Sequence, residues 1–191
     1  MDVEAASLSA GEIGAIARRI DRPLVLVGMM GSGKSTVGRK LASVLGFAFV
    51  DADDAIEEAA AMPIADIFSR YGEAYFRDGE RRVLARVIEE AGPRQVIATG
   101  GGAFADPRTR ALILERAIAI WLDCDVDTLV ERTARKDTRP LLRQGDPHAI
   151  LTRLLAERGP AYAEAQLRVE SRGGPQQRTL VAILRALAAW L

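Results

Sequence analysis

The chain has 191 residues, 49% apolar and 27% charged, which is enough for one full core and too little for two. Its 26 basic and 26 acidic side chains cancel, so it lacks the one-sided field that favours nucleic acid or an anionic membrane as partner. A single cysteine (Cys124) excludes an intramolecular disulfide, and a single histidine (His148) argues against His-rich metal sites and a Ser-His-Asp triad.

Residues 1–22 read as an N-terminal helical extension. Met1-Asp2-Val3-Glu4 is acidic and lacks the apolar run of a signal peptide, and no stretch approaches the ~18 apolar residues of a membrane span. A cytoplasmic protein without a membrane partner is expected. Ser9 followed by Glu12 is a capping-box signal, and Ile13, Ile16, Ala17 and Ile20 recur at helical spacing before the Asp21-Arg22-Pro23 breaker.

Residues 23–191 read as one domain. Leu24-Val25-Leu26-Val27 is a continuous apolar run, as in a strand buried on both faces of a parallel sheet. A helix follows over about 34–45, with Gly46 as its C′ glycine. A second strand is expected at 47–50, then a short helix around 54–61, an interruption at Pro63, and a helix over about 72–90 closed near Gly92. Strands are also expected at 95–99, 117–122 and 167–170, before a last helix from about 176 to 189. Alternating strands and helices imply an α/β fold, three-layer α/β/α, with helices on both faces of a five-stranded parallel sheet.

The first strand runs into Gly28-Met29-Met30-Gly31-Ser32-Gly33-Lys34-Ser35-Thr36, a G-x-x-x-x-G-K-S loop between a predicted strand and a predicted helix. Backbone N–H groups of such a loop turn inward around phosphate oxygens, and the helix N-terminus adds its positive end. Lys34 suits the β and γ phosphates, and the Ser35 hydroxyl suits Mg²⁺. Binding of a nucleoside triphosphate is expected.

Asp51-Ala52-Asp53-Asp54 follows the second strand. If the segment is extended, Asp51 and Asp53 point to one side of the C-terminal sheet edge, where one can hold the Mg²⁺ water shell and the other orient or deprotonate a hydroxyl. A plainer reading has Asp53 or Asp54 capping the next helix. Asp123, at the end of the fourth strand, competes as the Mg²⁺ carboxylate, and Asp51 is preferred. Gly100-Gly101-Gly102 costs backbone entropy at the same edge, which close approach of a ligand to the backbone explains better than a plain turn. Arg77 lies early in the long helix with Glu80 at i+3 to hold its guanidinium. Arg139 sits in a polar stretch rich in Pro and Gly, read as a mobile lid over about 135–150. Arg158 is expected to follow the next helix.

Together these motifs resemble the shikimate kinase family. They are Gly28-x-x-Gly31-x-Gly33-Lys34-Ser35-Thr36, Asp51-x-Asp53, Ile64-Ala65-Asp66-Ile67-Phe68, Gly72-Glu73-x-x-Phe76-Arg77-x-x-Glu80, the glycine triplet, Arg139-Pro140-Leu141-Leu142 and Arg158-x-x-x-Tyr162. The resemblance implies a P-loop NTPase of the nucleoside-monophosphate-kinase-like fold that phosphorylates the 3-hydroxyl of shikimate with ATP. It implies ATP contacts at Gly31, Ser32, Gly33, Lys34, Ser35, Thr36, Arg132 (against adenine) and Arg139 (the lid). Ser35 and Asp51 would serve Mg²⁺. Asp53, Arg77, Gly100, Gly101, Gly102 and Arg158 would form the acceptor pocket, with the two arginines on the carboxylate. Lys34, Asp53 and Arg139 would be catalytic. A monomer is expected, with ATP and shikimate as its partners. The Arg172 loop and the N-terminal helix depart from the family pattern.

Two rivals share the phosphate loop. A gluconate-kinase-like enzyme acts on a neutral polyol chain and does not call for two arginines at the acceptor. A nucleotide-binding regulatory module needs neither the Asp pair nor a lid arginine.

Overall fold

The computed structural model describes residues 8–134, 145–172 and 174–191. The N-terminal extension contains α1 (Ala10–Arg19), opened by a complete capping box between Ser9 and Glu12. Strand β1 (Leu24–Val27) leads to α2 (Lys34–Leu45), which Gly46 ends in the left-handed conformation. Next come β2 (Ala48–Asp51), α3 (Ala52–Ala60) and α4 (Ile64–Glu90). Strand β3 (Gln95–Ala98), a 3₁₀ turn (Ala103–Ala105), α5 (Pro107–Arg116) and β4 (Ile118–Asp123) follow. Helices α6 (Val126–Ala134) and α7 (Pro147–Tyr162), strand β5 (Leu167–Glu170) and α8 (Gln176–Trp190) complete the described chain.

The five strands form one parallel sheet in the order β2-β3-β1-β4-β5. Side-chain alternation divides the central strands between two cores. Leu24 and Leu26 of β1, with Ile118, Ile120 and Leu122 of β4, face a core closed by α2, α8 and α1. Val25, Val27, Ala119 and Trp121 face the opposite core, with Leu84, Ile113, Leu129 and Leu151 from α4 to α7. A small third cluster of Ile56, Ile67 and Phe76 holds α3 against α4. The N-terminal helix belongs to the first core through Ile16 and Ile20, both buried. Among the described residues, no helix is long and apolar enough to cross a membrane.

Several local expectations shift. Asp53 is not in an extended segment. Asp51 ends β2, and its carboxylate accepts the Asp53 N–H at 3.2 Å, so α3 starts at Ala52 and Asp53 lies in its first turn. The helical reading of 72–90 matches the second of two helices joined within α4, and the first, over 64–71, is an addition to what the sequence led us to expect. Pro63 N-caps α4, the Glu57 carboxylate accepts the Ile64 N–H, and Gly72 breaks the helix at φ 80°, ψ 175°. Helices α5 and α7 each start at an Asp-Pro pair, Asp106-Pro107 and Asp146-Pro147, whose aspartate accepts two N–H groups of the first turn. Because α7 runs on to Tyr162, Arg158 stands inside it rather than after it.

Candidate functional site

The phosphate loop leaves β1 at the C-terminal edge of the sheet. Gly28 has φ 133°, and a Cβ there would stand 2.7 Å from the Leu122 carbonyl oxygen of β4, so the loop fits against the sheet only without a side chain at 28. Gly33, the N-cap of α2, is also left-handed at φ 95°. The buried Lys34 ammonium donates to the carbonyls of Gly28 and Met29, both at 2.8 Å, curling back into its own loop. Ser32 is fully buried, and its hydroxyl has no hydrogen-bond partner. A buried polar atom of this kind carries a desolvation cost that a ligand oxygen can relieve.

The loop opens on a cleft of about 1040 Å³. Gly31, Ser32, Gly33, Lys34, Ser35 and Thr36 line one part of it, Asp51 and Asp53 another, and Gly101 and Arg132 also reach it. Burial, then the neighbouring Asp51, raises the Asp53 carboxyl to about 6, against the opposing pull of Lys34. Asp123, the alternative carboxylate, instead accepts two hydrogen bonds from Arg168, at 3.0 and 2.6 Å. Arg139 lies outside the described residues.

On α4, Arg77 donates to Glu80 at 2.7 Å, as the i+3 spacing predicts, and to Glu73, a residue of the cleft lining, at 3.4 Å. Burial works against the Arg77 charge, but Glu80 and Glu73 together raise its pKa. Glu80 is itself raised by burial, with Arg77 pulling the other way, and its Oε1 has no hydrogen-bond partner. The glycine triplet explains why these groups fit. A Cβ at Gly100 would meet Glu80 Oε1 at 2.6 Å and Asp53 Oδ1 at 3.0 Å, and one at Gly102 would meet the Arg77 guanidinium at 2.7 Å. The expected close approach is therefore made by the protein's own charged side chains at 100 and 102. Gly101 packs on the phosphate loop, where a Cβ would stand 3.0 Å from the Met30 nitrogen.

From α7, Arg158 donates to the Gly101 carbonyl at 3.2 Å, and the hydroxyl of fully buried Tyr162 donates to the same oxygen. Arg132, on α6, donates to Ser32 O, Ser171 Oγ and Arg172 O. Arg77 and Arg158 thus meet at the glycine triplet, Arg77 against Gly102 and Glu80, Arg158 at the Gly101 carbonyl. Tyr162 and Ser171 received no role from sequence. Tyr162 was accessible from its i+4 spacing to Arg158, which places both on one helical face. Ser171 was accessible from its position directly after β5, at the ligand-binding edge of the sheet.

The sequence model of the shikimate kinase family matches residues 30–188. A shikimate kinase of Novosphingobium aromaticivorans is 63% identical over 193 residues, spanning 100% of both chains. The solved structure of a shikimate kinase from Acinetobacter baumannii in complex with shikimate superposes with a TM-score of 0.85 at 35% identity, over 91% of this chain and 97% of that one. A gluconokinase from Sinorhizobium meliloti superposes with a TM-score of 0.59 at 18% identity, over 90% of this chain and 94% of that one, a likeness of fold alone.

Proposed function

The chain belongs to the shikimate kinase family, and we propose that its cleft transfers the γ-phosphoryl group of ATP to the 3-hydroxyl of shikimate. The observation that carries this reading is the joining of a phosphate loop to a half-buried carboxyl of raised pKa and two arginines through one glycine triplet.

The loop N–H groups of residues 31–36 and Lys34 hold the triphosphate, with Lys34 exchanging the Gly28 and Met29 carbonyls for phosphate oxygens. The unpartnered Ser32 hydroxyl fits the same ligand. Ser35 and the Asp51 carboxylate would hold Mg²⁺. Both line the cleft, they are hard oxygen donors, and Asp51 already raises Asp53 by like-charge repulsion that a cation relieves. When bound, Mg²⁺ neutralises charge on the phosphate oxygens.

Asp53 is the general base. Its carboxyl, raised to about 6, is ionised at neutral pH and close enough in basicity to take a proton as the hydroxyl attacks. The hydroxyl oxygen forms a bond to Pγ, the bond from Pγ to the β–γ bridging oxygen breaks toward ADP, and the hydroxyl proton passes to Asp53. Arg77 and Arg158 bind the acceptor carboxylate, where a guanidinium offers paired donors to paired oxygens. Arg77 is aimed by Glu80, and Arg158 is held at Gly101. Arg132 serves the nucleotide, and Arg139 is assigned to the transferred phosphoryl group by its motif.

The test is ADP release by the purified protein with ATP, Mg²⁺ and either shikimate, gluconate or no acceptor. Release that requires shikimate is expected. Release with gluconate alone would keep the ATP site and remove the two-arginine acceptor pocket. Release independent of acceptor, or none at all, would point to a nucleotide-binding module.

A further inference from the structure

We propose, resting on the reading of the cleft as an ATP site, that Ser171 is a positioning residue for the triphosphate, pinning the Ser32–Gly33 peptide plane of the phosphate loop from 139 residues away.

Ser171 follows β5 and is 1% exposed. Its N–H donates to the Asp123 carbonyl at 2.6 Å, which fixes the residue to the end of β4. Its hydroxyl donates to the Ser32 carbonyl at 2.9 Å and accepts from Arg132 at 3.2 Å, the one donor and one acceptor role a serine can fill together. Arg132 also donates to the Ser32 carbonyl, at a longer 3.4 Å. The Ser32 carbonyl is therefore held from outside its own loop, chiefly by Ser171.

This matters because of what lies across the peptide bond. Every described peptide is trans, and in a trans peptide the carbonyl and the next N–H point in opposite directions. Pinning the Ser32 oxygen toward Ser171 sends the Gly33 N–H the other way, among the N–H groups that face a bound phosphate. The plane needs pinning because Gly33 has no Cβ to oppose rotation about its φ, so the peptide flips at little steric cost. The unpartnered, fully buried Ser32 hydroxyl is an independent sign that a ligand completes this turn of the loop.

The experiment is calorimetric titration of Ser171→Ala with Mg-ATP and, separately, with inorganic tripolyphosphate, which offers phosphates without a base. Both dissociation constants are expected to rise about tenfold, the effect of one hydrogen bond, with shikimate affinity unchanged. Ser171→Thr, which keeps the hydroxyl, should restore both. Wild-type tripolyphosphate affinity in Ser171→Ala overturns the proposal even if ATP binds more weakly, because Ser171 then acts on the base side alone. If the alanine variant does not fold, Ser171→Cys, similar in volume and a weak donor, is read against the same outcomes. Binding is measured without turnover, so a wild-type protein that binds ATP but fails to phosphorylate shikimate leaves this test intact. A wild-type protein that binds neither ATP nor tripolyphosphate sinks both readings.

Discussion

Replacing Asp53 by Asn should stabilise the ligand-free protein at high pH while removing its activity. The carboxyl lies in the first turn of α3, where the helix dipole favours a negative charge, yet burial and Asp51 outweigh that and Lys34 to raise it from 3.8 to about 6. The folded chain therefore holds this proton more tightly than the unfolded chain does. Its stabilising effect is fully present below about pH 4 and is lost as pH rises through about 6. By pH 8 the ionised folded state carries a penalty of about 3 kcal/mol, from 1.36 kcal/mol for each pH unit between 3.8 and about 6. Asn, nearly isosteric and neutral, carries no such penalty. Thermal melts in chelator, without nucleotide, should then show the variant and wild type together near pH 4. At pH 8 the variant should melt about 6–12 °C higher, at roughly 2–4 °C per kcal/mol for a chain of this size. Turnover at saturating ATP should fall far more than ATP affinity. A variant no more stable than wild type at pH 8, or equally stabilised at both pH values, would refute the account of Asp53 as a partly desolvated, charge-crowded base.

Lys34→Ala should abolish turnover and leave the melting temperature within a few degrees of wild type; wild-type activity would remove the phosphate-loop assignment. Gly102→Ala places a methyl 2.7 Å from the Arg77 guanidinium, whose far end can swing aside, so the KM for shikimate should rise about tenfold or more with the KM for ATP unchanged. Equal effects on both would show that Gly102 serves the nucleotide side. Ile16→Ala empties a buried position where α1 joins the first core, at a cost of roughly 2–5 kcal/mol. Chemical denaturation should show that loss. A near-neutral result would mean that α1 is only loosely attached.

The elements legible in the sequence are those whose cause is local. Leu24–Val27 and Ile118–Leu122 are apolar without interruption because both of their faces are covered, and no fold detail is needed to see a buried parallel strand in them. The capping box of Ser9 and Glu12 and the stop at Gly46 each depend on a few adjacent residues. The phosphate loop is legible for the same reason, since cradling a phosphate needs only its own backbone and the helix it opens. The place of Asp53 is not legible from spacing, because Asp51 accepting its N–H competes locally with strand continuation and spacing does not rank the two. Helix α5 has no counterpart among the elements expected from sequence, although Asp106-Pro107 is a local start signal, and α7 begins at Asp146-Pro147, inside the stretch read as a lid.

Beyond these, tertiary structure decides. The sheet order sets β3 and β4 on either side of β1, which brings the glycine triplet against the phosphate loop and fits Gly28 under the Leu122 carbonyl. The proton affinity of Asp53 comes from burial and from charges on α2 and α4 as well as from its neighbours. The triplet makes room for Glu80 and Arg77, and Ser171 reaches Ser32 only because β5 lies beside β4. Local chemistry can be read from neighbouring residues; burial, register and hydrogen bonds between distant segments exist only once the chain has packed.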